Sequence, residues 1–478
     1  MPSEKKIITN IVWRFFERTG TQLVTLAVSI VLARMLAPGL FGVLAMIVAV
    51  VAVLRVPIEN CLGHALIQKE NADGADFSSA FFCNLVASTF IYAFVFFLAP
   101  PVAERAGDPG LTAVIRVLGL SIPLSAFKSV QQAYAERNML FRKFFFASLG
   151  GTLLSGIVGV LLALKGFGLW ALAAQYLLDL AVDTILLWII VRWRPAAVFS
   201  ADRLRTLLSY GWKLTAAALM DSAYEGLKQT LTGLRISSAD LAYLNRGQVY
   251  PRAAFNNINA SVENVMFSAM SREQARPELV REMVRKNVTT ATYILAPVLA
   301  GLAAVAEPLT RLVLTEKWLP CVPLLRICCA AYLLSPAVKA NQSAINALGR
   351  SDLFLKLEIV KKIASVILLL VSLHFGIKGI AVGLLATSVI CLLVNALPNG
   401  KLLGYPLGRQ LLDILPSISL AAAMGLIVYT VGCLGLRDIP TLAVQIPLGI
   451  VLYVAGSAAF GLKGFYYLRQ FVRSLKKE

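Results

Sequence analysis

The sequence predicts an all-α polytopic membrane protein. It would have 14 transmembrane helices, arranged as two six-helix lobes followed by two further helices. Three observations lead there. First, 58% of the 478 residues are hydrophobic and only 15% charged, with a mean hydropathy of +0.74, which no soluble domain of this length matches. Second, apolar stretches long enough to cross a bilayer core recur about every 30 residues. Third, a pattern of apolar and polar positions repeats at a separation of six such stretches.

The stretches fall at 11–34, 41–66, 78–100, 111–136, 144–164, 169–191, 207–234, 247–270, 287–306, 321–346, 357–374, 378–400, 411–432 and 442–461. Proline 57 interrupts the second. No connection is long enough to fold as a separate soluble domain. With both termini placed in the cytoplasm, Lys and Arg favour the cytoplasmic loops by roughly three to one. An odd number of spans would put the basic tail on the wrong side.

The repeat is clearest between IRVLGLSIPLSAFKSVQQ at 115–132 and LRICCAAYLLSPAVKANQ at 325–342. At this offset of 210, Arg116 falls on Arg326, Ser125 on Ser335 and Gln132 on Gln342. Six is even, so the copies share one orientation, and a pseudo-two-fold along the membrane normal relates them. The expected organisation is a first lobe at 1–200, a second at 201–403, and helices 13 and 14 with a basic cytoplasmic tail at 404–478.

The seventh stretch, LLSYGWKLTAAALMDSAYEGLKQTLTGLRI at 207–236, carries Lys213, Asp221, Glu225 and Lys228. At 100° per residue the four fall within an arc of about 120°. Each would cost roughly 2.5–3.5 kcal/mol at the centre of a lipid-facing helix, so this face is expected to line a hydrated interior. Other spans carry similar stripes. Arg14, Arg18, Gln22, Thr25 and Ser29 share a face of the first, and Arg55 and Glu59 lie one turn apart on the second. Ser121, Ser125, Lys128 and Gln132 run i, i+4, i+7, i+11 on the fourth, as do Ser335, Lys339, Gln342 and Asn346 on the tenth. Arg252, Asn256, Asn259 and Glu263 repeat the spacing on the eighth, and the sixth carries Asp179 and Asp183. Arg14, Arg18, Arg116 and Arg326 lie near span ends, where long side chains can reach the interface. Basic groups outnumber acidic ones along these faces. A wet cationic cavity between the lobes would suit an anionic substrate.

Several classes are excluded. There is no GxxxxGK[ST] loop for nucleotide hydrolysis. None of the seven cysteines forms a CxxC pair and only two histidines are present, so no metal or redox centre is expected, and no cofactor. No nucleic-acid module accompanies the net charge of +19. Glycines such as those at 150–159 read as close helix packing. No Ser/His/Asp or paired-carboxylate arrangement suggests an enzyme.

The strings VLARMLAPGLFGVLAM (31–46), GHALIQKE (63–70), LRISSADLAYLNRG (234–247), EPLTRLVLTEKWLPCVPLLRI (307–327) and NALGRSDLFLKL (346–357) resemble the polysaccharide exporters. These are the Wzx-type lipid-linked oligosaccharide flippases of the multidrug/oligosaccharidyl-lipid/polysaccharide superfamily. The resemblance covers about 13–400. It implies a MATE-like fold in the bacterial inner membrane, alternating access, and a cargo of oligosaccharide repeat units on undecaprenyl pyrophosphate. The product would feed exopolysaccharide, capsule or O-antigen synthesis. It implies a cationic lumen, for which Lys213, Arg55, Arg252, Lys128, Lys339, Arg14 and Arg18 are the positions. It also implies coupling to H+ or Na+, with Glu225, Asp221, Glu263, Asp179 and Asp183 as candidates. Expected partners are the lipid-linked oligosaccharide, membrane lipids and polymerase machinery, for a protein acting as a monomer. The competing readings are a lipid-II-type flippase, a MATE-type drug antiporter with an acidic cavity, and a membrane glycosyltransferase or polymerase.

Overall fold

A computed structural model describes residues 4–468, except 70, 192, 275 and 436. Side chains are also undescribed at 4–19, 213, 214, 260–265, 267, 268 and 351. The chain is 88% helical, with no strand among the described residues. By packing it divides into two units, Met1–Leu241 and Ala242–Glu478.

The first unit holds α1 (Glu4–Met35), α2 (Pro38–Gln68), α3 (Gly74–Arg105), α4 (Leu111–Gly119), α5 (Ser121–Arg137), α6 (Phe141–Leu164), α7 (Leu169–Ile190) and α8 (Ala201–Arg235). The helix α9 (Ser238–Arg272) begins at its end. The second unit continues with α10 (Pro277–Ala304), α11 (Ala306–Leu314), α12 (Cys321–Leu333), α13 (Ser335–Ala347), α14 (Ser351–Ser372), α15 (Gly376–Leu402), α16 (Leu407–Gly432) and α17 (Asp438–Ala459). Ten described stretches are long and apolar enough to cross a membrane. One of them, 352–402, contains both α14 and α15. Pro57 does not interrupt α2, which runs through it.

The fourth and tenth predicted spans are each two helices. The first breaks at Leu120, between α4 and α5, and the second at Leu334, between α12 and α13. The repeat survives at the level of single bonds. Arg116 Nε donates to the Phe96 carbonyl at 3.2 Å, and Arg326 Nε to the Ala303 carbonyl at 3.2 Å. Phe96 lies four residues before Pro100, which has no N–H to offer that carbonyl. Neither arginine simply reaches for the interface, because a backbone acceptor near the end of the preceding span takes its guanidinium. Gln131 and Asn341, also 210 apart, are both fully buried. Gln131 Nε2 donates to the Trp193 carbonyl at 3.0 Å, and Asn341 Nδ2 to Gln410 Oε1 at 2.7 Å. Each ties the middle of its unit to the segment that follows the sixth span of the copy.

Helix association in lipid relies on close packing rather than on expulsion of water, and glycines supply it here. A Cβ on Gly151 of α6 would stand 3.0 Å from the Asp179 carbonyl of α7, and one on Gly156 would stand 2.4 Å from Val28 of α1. The seam between α2 and α8 is tighter. A Cβ on Gly211 would lie 2.0 Å from the Cys61 carbonyl, one on Gly226 2.8 Å from Val53, and one on Gly233 2.0 Å from Met46. The pairs run in opposite directions along the two helices, so α8 lies antiparallel on α2. This places the packing division after α8, whereas the repeat begins its second copy before it.

Candidate functional site

Helices α2, α5 and α7 pack on one another in the first unit. The apolar faces of α2 and α5 form a core with α3, built on Leu62, Leu66, Phe77, Phe81 and Val130. The remaining polar residues are turned to a common side, as the i, i+4, i+7 spacing requires. There they border a cavity of about 310 Å³ whose lining includes Glu59, His64, Ser125, Lys128, Gln132 and Glu136.

The charges in this region are paired. Arg55 of α2 donates from Nε to Glu59, one turn on, at 2.9 Å, and from Nη1 to the Tyr176 hydroxyl of α7 at 2.8 Å. Ser125 of α5 donates to Glu59 at 3.1 Å. Lys128, one turn further along α5, lies 2.6 Å from the Asp183 carboxylate of α7. Ser148 of α6 donates to Asp183 at 3.3 Å, and Ser155 to Asp179 at 3.4 Å. Gln132 donates to Glu136 at 3.0 Å. The Asp183 side chain is only 8% exposed and Lys128 21%, so neither charge is tolerable there without the other. Among the described side chains the cluster holds the carboxylates Glu59, Glu136, Asp179 and Asp183 and the cations Arg55 and Lys128.

The second unit carries the related stripe on α13. Gln342 donates to Glu358 of α14 at 2.7 Å, and Lys361, buried on the next turn, lies 2.6 Å from the same carboxylate. Lys339 of α13 is half-buried and Arg252 of α9 is exposed, and neither has a hydrogen bond or ion pair with a described residue. On α8, Glu225 lies 2.7 Å from Lys228, which is buried, while Asp221 is exposed. The side chains of Arg14, Arg18, Lys213 and Glu263 lie outside the described residues.

Of the predicted positions, the structure brings together Arg55, Lys128, Asp179 and Asp183. Among the participants that sequence reasoning missed are Glu136, Tyr176, Glu358 and Lys361. Tyr176 stands three residues before Asp179, so a helical-face test around that aspartate would have found it. Glu358 and Lys361 are spaced i, i+3 on the stretch 357–374, where no polar stripe was named.

A family described as polysaccharide biosynthesis protein matches residues 31–323. The succinoglycan biosynthesis transport protein ExoT of Rhizobium meliloti is 26% identical over 321 residues, covering 67% of this chain and 65% of that protein. The lipopolysaccharide biosynthesis protein WzxC of Escherichia coli is 24% identical over 420 residues, covering 83% of each. Among solved structures, the lipid II flippase MurJ in an inward closed conformation superposes with a TM-score of 0.78 at 13% identity, covering 94% of this chain and 98% of that one. An inward-facing multidrug MATE transporter of the MOP superfamily gives 0.59 at 15% identity, over 80% and 95%.

Proposed function

The chain belongs to the polysaccharide biosynthesis protein family, whose members here are membrane transporters of the Wzx type, and we propose that its cargo is an oligosaccharide repeat unit linked to undecaprenyl pyrophosphate. The protein carries this headgroup from the cytoplasmic to the periplasmic leaflet by alternating exposure of a charged cavity to the two sides. In this reading α4 with α5, and α12 with α13, count as one crossing each, and the nine-residue α11 is too short to cross. That gives fourteen crossings of the bacterial inner membrane, both termini in the cytoplasm, and a monomer that hands its product to a polymerase.

The observation that carries the proposal is the Lys128–Asp183 pair, 2.6 Å apart beside a polar cavity within otherwise apolar spans. A pyrophosphate competes with a carboxylate for an ammonium or guanidinium on equal chemical terms. It can take Lys128 from Asp183 and Arg55 from Glu59 without leaving either cation unpaired. In the second unit, Lys339 and Arg252 make no hydrogen bond or ion pair with a described residue. Ser125 and Gln132 supply hydroxyl and amide groups suited to sugar hydroxyls. The carboxylates released by the exchange must then find another positive charge. This is the physical basis for coupling to H+ or Na+ through Asp183 and Asp179, with Asp221, Glu225 and Glu263 as further positions.

The carboxylates Glu59, Asp179 and Asp183 favour one second reading, export of an organic cation. A leaflet assay separates the two. Purified protein in liposomes is given a fluorescent isoprenyl-pyrophosphate oligosaccharide in one leaflet, with and without a proton or sodium gradient. Translocation above empty liposomes that falls in Lys128→Ala and Lys339→Ala supports the flippase. Gradient-driven uptake of an organic cation with no movement of any lipid-linked glycan, lipid II included, overturns it.

A further inference from the structure

The first unit contains a second cavity that the charged site does not use. It is an apolar groove of about 420 Å³ walled by α2, α3, α4 and α8. Along α2 it runs from Val43 to Leu54. That distance is about 17 Å at 1.5 Å per residue, close to half of a hydrocarbon core roughly 30 Å thick. The groove therefore has the length of one leaflet. Its α3 wall presents Phe94, Leu98 and Val102, all exposed, so it opens on the surface.

Two polar groups interrupt this lining. The Thr230 hydroxyl of α8 is buried without a partner. Arg105 closes one end, exposed in the last turn of α3, with no hydrogen bond or ion pair to a described residue. An apolar channel one leaflet long with a cation at its mouth is complementary to a lipid that has one chain and an anionic head. A comparable apolar groove of about 550 Å³ in the second unit, between α10, α16 and α17, has no Lys or Arg in its lining. A smaller apolar pocket of about 380 Å³ between α10, α12 and α16 does include Arg326, but that guanidinium is bonded to the Ala303 carbonyl at 3.2 Å, whereas Arg105 has no such acceptor among the described residues.

We infer that this groove holds the chain of an isoprenyl phosphate, with the phosphate at Arg105. A single chain fills a single groove, whereas a diacyl phospholipid would leave one chain outside. The inference rests on the isoprenoid-linked cargo proposed above. In that topology α3 ends on the periplasmic side, so the groove serves the carrier after its headgroup has crossed.

The test is photolabelling of the full-length protein in nanodiscs by diazirine-bearing farnesyl phosphate, with diazirine-bearing phosphatidylglycerol in a parallel arm. Labelled peptides are mapped by mass spectrometry. The expected result is labelling within 43–54 and 94–102. It falls about tenfold in Arg105→Gln, the loss of one charge-assisted contact, and falls in Leu98→Trp, which fills an exposed part of the groove. Labelling by diazirine-bearing farnesol should be indifferent to Arg105→Gln. Equal labelling of these segments by phosphatidylglycerol, or labelling unchanged in Leu98→Trp, overturns the assignment. Translocation is measured on the same samples. Intact translocation without groove labelling removes the groove alone, and groove labelling without translocation removes the transport reading alone.

Discussion

Lys128 and Asp183 form an ion pair of 2.6 Å between α5 and α7, with the aspartate almost fully enclosed. Removing the lysine alone leaves a carboxylate in a poorly solvated place, at a cost of about 3–5 kcal/mol for a buried pair. Lys128→Ala is therefore expected to lower both Tm and translocation. Lys128→Ala with Asp183→Asn removes both charges and should restore most of the Tm, while translocation stays low. A double variant that recovers transport along with stability would show that the pair is only structural. The check is Tm in detergent beside the leaflet assay.

Arg55 binds two partners on different helices, Glu59 on its own and Tyr176 on α7. A guanidinium can reach both at once and an ammonium cannot. Arg55→Lys should keep the charge and the Glu59 pair but lose the tyrosine, lowering Tm by the equivalent of about 1 kcal/mol. Tyr176→Phe removes the same bond from the other side. The double variant is expected to be no worse than either single one, and additive losses would mean that the two residues act separately.

How much of this was legible in the sequence follows from what a helix pattern can encode. The repeat linking Arg116 to Arg326 was visible because it lies along the chain, and each arginine makes the same backbone contact in its own unit. The Ser125, Lys128 and Gln132 stripe was visible because 100° per residue puts those positions on one face. Which carboxylate Lys128 would meet was not. Asp183 is 55 residues away on α7, a helix placed by its packing on other helices, such as Gly151 of α6 against the Asp179 carbonyl. The close approach of α8 to α2 was equally hidden, since glycine in an apolar run marks a close neighbour without naming it.

The α2–α8 seam gives a ranked prediction. The added methyl of Gly211→Ala meets the Cys61 carbonyl at 2.0 Å, a backbone atom that cannot swing aside. At Gly233 the obstacle at the same distance is the Met46 sulfur, at the end of a flexible side chain. Gly211→Ala should therefore lower Tm by the equivalent of about 1–3 kcal/mol, with Gly233→Ala costing much less. Equal effects at the two positions would mean that α8 does not hold this register on α2. Thermal melts of the two variants in one detergent decide it.

Asp73 supplies the pH-dependent case. It caps α3, accepting from the backbone N–H of Ala75 at 3.1 Å and of Asp76 at 3.0 Å, and it pairs with Arg203 at the start of α8. The hydrogen bond from Arg203 pulls its carboxyl down from 3.8 to about 2. A folded-state value below the unfolded one means that the ionised carboxylate favours the folded state. Its contribution is complete well above 3.8 and is lost as pH falls from 3.8 through about 2. The group is fully exposed, so the effect is small and sensitive to salt. Asp73→Asn keeps an acceptor for the cap and removes only the charge. The Tm gap between wild type and Asp73→Asn should be level from about pH 5 to 8 and close below pH 3.8. A gap that widens in acid, or disappears above neutrality, would assign the stabilisation to another group.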